Sequence, residues 1–212
     1  MTRLPSHFYA MVDPAGGHEP VELARMLLDA GARILQLRLK QAGGRDWLVA
    51  ARSISRMCRE RGALFIVNDR ADIALLSEAD GVHLGQTDLP LDAGRRVMGH
   101  QRVIGISTHT VEQALAAESG GADYIGFGAI YSGGLKQTAR GRGLDELRAV
   151  RAAVKIPIVA IGGITEATVP EVLAAGANAC AIISDVVKAP DLAAKVRAIL
   201  ALKTGSESLT GS

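Results

Sequence analysis

Residues 156–164 read Ile156-Pro157-Ile158-Val159-Ala160-Ile161-Gly162-Gly163-Ile164, the longest nearly apolar run in the chain. Pro157, Gly162 and Gly163 punctuate the run, which is far too short to span a bilayer. Ile158-Val159-Ala160-Ile161 shows no alternation of polar and apolar side chains, so both faces of this strand must be covered. A parallel sheet with helices packed over it meets that condition. The flanking segments agree: Leu144–Val154 and Val169–Ala175 place apolar residues at helical spacing.

The same alternation runs the length of the chain. Strands are predicted over His7–Asp13, Ala32–Lys40, Ala63–Asp69, Gly81–Gly85, Val103–Thr108, Tyr124–Ile130, Pro157–Gly163 and Ala179–Ser184. Between them, helices are predicted over Val21–Ala30, Asp46–Arg61, Ala71–Ala79, Leu91–Met98, Val111–Ser119, Leu144–Val154, Val169–Ala175 and Asp191–Leu200. Leu192, Val196, Ile199 and Leu200 illustrate the three- and four-residue spacing. Gly31, Gly62, Gly120 and Gly176 follow helices and are expected to close them in the left-handed conformation. Eight strand–helix pairs admit a closed barrel or an open doubly wound sheet. The count of eight, and the lack of a G-x-G-x-x-G turn after the first strand, favour the barrel. With no break in composition, the expected architecture is one (β/α)8 TIM barrel over residues 1–202. The Gly/Ser/Thr-rich tail 203–212 is expected to be flexible.

Composition narrows the class. The 24 Lys and Arg against 22 Asp and Glu give a net charge of +2, no basis for a nucleic-acid-binding domain. One Trp, three Tyr and three Phe are too few for a base-stacking platform. Hydrophobic residues at 48% suit a packed core. Cys58 and Cys180 form neither a disulfide framework nor a zinc pattern and read as reduced thiols on packed elements. Met1–His7 carries no apolar signal segment, so no membrane partner and a cytoplasmic location are expected.

Barrel enzymes work at the C-terminal ends of their strands, and polar residues gather there. Strand 2 ends in Gln36-Leu37-Arg38-Leu39-Lys40, where period-2 alternation turns Gln36, Arg38 and Lys40 to one side. Strand 3 ends in Asn68-Asp69-Arg70, strand 4 in Gly85-Gln86-Thr87-Asp88, and strand 5 in Ser107-Thr108-His109. Ser132-Gly133-Gly134-Leu135-Lys136 follows strand 6, Gly162-Gly163 ends strand 7, and Ser184-Asp185 ends strand 8. Each residue also has a plain structural reading: rim charges, helix caps at Asn68 and Asp69, packing histidines at His83 and His109. Their convergence on one end of the barrel favours a site. Asp69 and Asp88 end adjacent strands and offer hard oxygens suited to Mg²⁺. Arg38, Lys40 and Lys136 are cations able to clamp a diphosphate beside it. The turn at Gly163 and the loop at Ser184 fit a second, backbone-lined phosphate site. With no activated nucleophile in view, the residues favour stabilising a charged leaving group without a covalent enzyme intermediate.

Val67-Asn68-Asp69-Arg70-Ala71-Asp72-Ile73-Ala74 followed by Gly81-Val82-His83-Leu84-Gly85-Gln86-Thr87-Asp88-Leu89-Pro90 closely resembles the thiamine phosphate synthase family. Gly105-Ile106-Ser107-Thr108-His109-Thr110, Gly121-Ala122-Asp123-Tyr124-Ile125-Gly126 and Ala160-Ile161-Gly162-Gly163-Ile164-Thr165 extend the resemblance, which covers about residues 8 to 200. It implies joining a hydroxymethylpyrimidine diphosphate to a thiazole phosphate, with release of pyrophosphate by a dissociative route. It further implies that Gln36, Arg38, Lys40 and Asn68 hold the pyrimidine diphosphate, and that Asp69 and Asp88 bind Mg²⁺. Ser107 and Lys136 would touch the pyrimidine substrate; with Arg38 and Lys40 they form the expected catalytic set. Gly163, Ile183 and Ser184 would receive the thiazole phosphate.

The chain departs from the family at two places. Ser132-Gly133-Gly134-Leu135-Lys136 stands where the family usually has Pro-Thr-x-Thr-Lys, with Gly133 and Gly134 offering backbone N–H groups in place of hydroxyls. Leu39 stands for the usual Glu between Arg and Lys. A sister family of thiazole tautomerases shares the barrel and a His at the position of His109, but generally lacks the full metal and diphosphate set. A non-catalytic phosphate-ligand-binding barrel is the alternative outside enzymes. Many small barrels self-associate, so a homo-oligomer is compatible with the sequence.

Overall fold

The computed structural model describes residues 4–39, 42–132 and 141–202. Its strands are β1 (Phe8–Val12), β2 (Ile34–Leu37), β3 (Leu64–Asn68), β4 (Gly81–Leu84), β5 (Val103–Thr108), β6 (Tyr124–Gly128), β7 (Ile158–Ile161) and β8 (Ala179–Ile182). They pair in sequence order, all parallel, and β8 returns to β1 through Phe8 opposite Cys180 and Ala10 opposite Ile182. The predicted (β/α)8 TIM barrel is the architecture observed.

The strands are mostly apolar because both sides of the barrel wall are covered, by helices outside and by packed side chains in the lumen. On β1, Phe8, Ala10 and Val12 pack outward against helices, with Leu35, Leu37, Phe65 and Val67 from the next strands. Tyr9 and Met11 turn inward and meet Ile34, Tyr124, Val159, Ala179 and Ala181 in the lumen. The helices are α1 (Pro20–Asp29), α2 (Gly44–Glu60), α3 (Ala71–Leu76), α4 (Leu91–Met98), α5 (Val111–Ser119), α6 (Gly143–Ala153), α7 (Val169–Ala174), α8 (Ser184–Val187) and α9 (Leu192–Leu200). α2 buries Trp47, Ala50, Ala51, Ile54 and Cys58, one stripe at three- and four-residue spacing. Covering a residue such as Ile54 contributes about 2 kcal/mol. Side-chain oxygens of Thr110 and Asp191 accept the N–H groups of Gln113 and Ala194, which opens α5 and α9 at those residues.

Two local expectations are corrected. β8 stops at Ile182, and the predicted strand end at Ser184 is instead the first turn of α8. Four residues, Ser184-Asp185-Val186-Val187, are too few to display a helical period. Gly31, Gly62 and Gly176 take the expected positive φ, but Gly120 remains right-handed at −74° and its neighbour Gly121 makes the turn at 86°. The thiols of Cys58 and Cys180 are both buried, which pushes each up to about 12. Among the described residues no helix is long and apolar enough to cross a membrane. The tail 203–212 lies outside the described residues.

Candidate active site at the C-terminal mouth of the barrel

The site begins where β1 and β2 end. Gln36 is buried on the lumen face of β2, beside Met11 of β1. Arg38 leaves the strand with its N–H bonded to the Val12 carbonyl, and its guanidinium pairs with the Asp13 carboxylate. Asp13 is nearly inaccessible, at 3%. It holds Arg38 at the rim, a role that its position as the last residue of the first predicted strand does not announce. Leu39 faces the other way, buried in the helix layer with Trp47, whose Nε1–H donates to the Leu39 carbonyl at 2.6 Å. This departure from the family pattern therefore lies on the helix side of the strand. Lys40 lies outside the described residues.

β3 and β4 position the two carboxylates. Asn68 ends β3 opposite His83, and the Asp69 N–H donates to the His83 carbonyl at 2.8 Å. The Arg70 N–H returns to the Asn68 carbonyl at 2.7 Å, so Asp69 is the centre of a three-residue turn. Its φ is +63°, a conformation that L-residues adopt at a cost and that concentrates at functional sites. Asn68 and Asp69 do not cap the next helix: Arg70 occupies that position and grips Asp72 with Nε and Nη2 at 2.8 and 2.5 Å. At the end of β4, Asp88 folds back so that Oδ2 accepts the Gly85 N–H at 2.7 Å. A Cβ on residue 85 would lie 2.8 Å from that oxygen, so a side chain there would push the Asp88 carboxylate out of this position. It engages one carboxylate oxygen of Asp88.

Beneath this rim the lumen holds a polar chain invisible to periodicity. Gln36 Nε2 donates to the Tyr9 hydroxyl at 2.9 Å, and the Tyr9 and Tyr124 hydroxyls lie 2.8 Å apart. Tyr124 reaches His83 Nδ1 at 3.0 Å, and His83 Nε2 meets Ser107 Oγ at 2.9 Å. Two glycines make the room: a Cβ on Gly105 would lie 2.1 Å from Tyr124 Cζ, and one on Gly126 3.0 Å from His83 Cε1. Burial pushes the His83 imidazole down to about 4, opposed by the nearby Asp88 charge, so the ring is neutral near pH 7. Burial also raises the Tyr9 and Tyr124 phenols well above their ordinary range. Gln86 Nε2 donates to the Ser107 carbonyl at 2.6 Å and ties β4 to β5. His109 is an exposed residue whose Nδ1 lies 2.8 Å from the Gly128 carbonyl. It borders a cavity of about 300 Å³ with Glu112, Phe127, Arg142 and Glu146.

The second half of the mouth is backbone. Ile130 and Tyr131 continue the β6–β7 pairing by donating to the Ile161 and Gly162 carbonyls. That brings Tyr131 against Gly163, where a Cβ would lie 2.8 Å from Tyr131 Cβ, and Ala129 against Gly162 at 2.5 Å. Gly162 and Gly163 both hold positive φ, 101° and 67°. Across β8, Ile183 caps α8 and Ser184 begins it, so the first N–H groups of α8 have no partner within the helix. Asp185 braces this end, with Oδ2 accepting the Glu166 N–H at 2.9 Å and Lys195 Nζ 3.5 Å away. Lys195 also pairs with Glu166 at 2.8 Å. Lys136, Gly133 and Gly134 lie outside the described residues.

The strand ends thus carry Gln36, Arg38, Asn68, Asp69, Asp88 and Ser107 from β2 to β5, and Gly163, Ile183 and Ser184 beyond β7 and β8. Two hard carboxylates on neighbouring strands match the donor chemistry of Mg²⁺, which takes one or two protein carboxylates and completes its shell with water and phosphate oxygens.

A sequence model of the family described as thiamine monophosphate synthase matches residues 8–186. A curated thiamine-phosphate synthase of Moorella thermoacetica is 48% identical over 183 residues, 86% of this chain and 87% of its own. One from Methanocella arvoryzae is 50% identical over 182 residues, 85% of this chain and 86% of its own. Among solved structures, thiamine phosphate pyrophosphorylase from Pyrococcus furiosus superposes with a TM-score of 0.84 at 38% identity, covering 91% of this chain and 92% of that one.

Proposed function

The chain belongs to the thiamine monophosphate synthase family and is a transferase of thiamine biosynthesis, and from that premise we propose how its barrel mouth divides the work. The substrates are a 4-amino-2-methyl-5-hydroxymethylpyrimidine diphosphate and a thiazole phosphate; the products are thiamine phosphate and pyrophosphate. Gln36, Asn68 and Ser107 orient the pyrimidine at the lumen mouth. Arg38, braced by Asp13, joins Lys40 and Lys136 in neutralising the charge that grows on the departing diphosphate. Asp69 and Asp88 hold Mg²⁺, which supplies Lewis-acid neutralisation of the phosphate oxygens when bound. The bond from the pyrimidine methylene to the diphosphate oxygen breaks first. The aminopyrimidine carries the resulting cation, and the thiazole nitrogen then captures it. Backbone N–H groups around Gly163, Ile183 and Ser184 receive the thiazole phosphate, in the barrel region beyond strands 7 and 8 that favours phosphate.

The supporting observation is the positive φ of Asp69 after β3 and the folded-back Asp88 after β4, on adjacent strands, with the Arg38–Asp13 pair at the end of the neighbouring β2. Asp69→Asn and Asp88→Asn test it. Asn tolerates positive φ and keeps an oxygen acceptor for Gly85, so both variants should fold like the parent. Each should lower Mg²⁺-dependent kcat by about 100-fold or more, the scale of losing an electrostatic stabiliser. Normal kcat with normal Mg²⁺ dependence in either variant contradicts the metal assignment.

A further inference from the structure

The lumen chain leads from Gln36 to Ser107 through three residues that the proposed chemistry leaves unused. Each bond has a direction. An amide nitrogen cannot accept, so with Gln36 Nε2 against the Tyr9 oxygen the amide donates, and the Tyr9 proton turns to its other partner, the Tyr124 oxygen 2.8 Å away. Tyr124 must then donate its own proton onward, to His83 Nδ1 at 3.0 Å. An accepting Nδ1 bears no hydrogen, which places the ring hydrogen on Nε2, donating to Ser107 Oγ at 2.9 Å. An Nε2–H that donates leaves the Ser107 proton turned away from His83.

We propose that Tyr9, Tyr124 and His83 are positioning residues: their one-way hydrogen-bond chain holds His83 as the Nε2–H tautomer and directs the Ser107 proton into the barrel mouth. Ser107 is then a donor in the site, and the atom it meets on the bound pyrimidine is an acceptor. That last clause rests on the proposed function. The surroundings fix the chain in place, since Tyr9, Gln36, Tyr124 and His83 are all buried. They come from four strands, and Gly105 and Gly126 clear the space that the Tyr124 and His83 rings fill. Buried polar networks of this kind lock rotamers and tautomers because reversing any one bond alone leaves a donor or acceptor unmet.

Long-range ¹H–¹⁵N correlation of the histidine rings, in the ligand-free full chain at pH 7, reads the tautomer directly and needs no substrate. The expected result is hydrogen on His83 Nε2 alone; hydrogen on Nδ1 overturns the proposal. In Tyr124→Phe, which keeps the ring and removes the donor, an Nδ1–H population should appear, and an unchanged His83 signal overturns it. Tyr124→Phe should also lower kcat about tenfold, the worth of one well-placed hydrogen bond, and should add no further loss in a Ser107→Ala background. Losses that multiply in the double variant overturn the route through Ser107. Tyr9→Phe, one bond further back, should shift the tautomer in the same direction and serves if Tyr124→Phe does not fold. A parent protein that makes no thiamine phosphate removes the proposed function, while the parent spectrum still decides the direction of the chain.

Discussion

At Gly105 one hydrogen atom separates a working lumen from an overfilled one. A methyl group there would sit 2.1 Å from Tyr124 Cζ and 2.5 Å from its hydroxyl, against a ring that is itself fully buried. Gly105→Ala should destabilise the fold by about 1–3 kcal/mol, the usual cost of overpacking, measured by urea unfolding. Gly126→Ala, with a contact of 3.0 Å against the His83 ring edge, should cost less. His83 adds a pH dependence of definite sign. Its folded-state value near 4 lies below the ordinary 6.5, because burial disfavours the charged ring. In metal-free protein its contribution is intact above pH 6.5 and is lost as pH falls through 6.5 towards 4, where the native ring also takes a proton. The loss should approach about 3 kcal/mol at 1.36 kcal/mol per pH unit. His83→Gln should flatten this limb of the stability profile. Such contacts were not legible in sequence: His83 reads as a packing histidine until the register sets it beside Tyr124 and Ser107.

At the scale of elements, the eight strands were legible because apolar runs and helical stripes alternate eight times along the chain, and Ile158–Ile161 has no polar face to misplace. The strand-end motifs were legible for the same reason, since parity turns Gln36 and Arg38 to one side. Asp13 was missed because a lone carboxylate at a strand end looks like any loop residue until Arg38 is seen beside it. α8 was missed because helix periodicity needs more than its four residues. The β6–β7 junction makes its own prediction. Gly163 combines φ of +67° with a 2.8 Å approach to Tyr131, so Gly163→Ala strains the backbone and pushes on the neighbouring turn. The variant should lose about 1–2 kcal/mol of stability. It should raise KM for the thiazole phosphate several-fold while leaving KM for the pyrimidine diphosphate unchanged. Equal effects on both substrates would contradict the division of the mouth into two phosphate regions.

For the molecule as a whole, ring closure converts sequence order into proximity. Groups that are scattered along the chain, from Gln36 to Ser184, share one end because every strand is parallel and every strand end opens on the same mouth. The net charge of +2 conceals this polarity. Arg38 sits paired with Asp13 at one edge, Asp69 and Asp88 follow on the neighbouring strands, and the backbone donors at Gly163 and Ser184 lie beyond β7 and β8. A near-neutral total with a strongly organised rim suits small phosphate-bearing substrates better than a polyanion. The decisive assay mixes the purified protein with the pyrimidine diphosphate, the thiazole phosphate and Mg²⁺, and counts both products. Thiamine phosphate and pyrophosphate should form in equal amounts, each abolished when Mg²⁺ is chelated. Pyrimidine diphosphate that binds but stays intact, or turnover indifferent to chelation, would contradict the proposed chemistry.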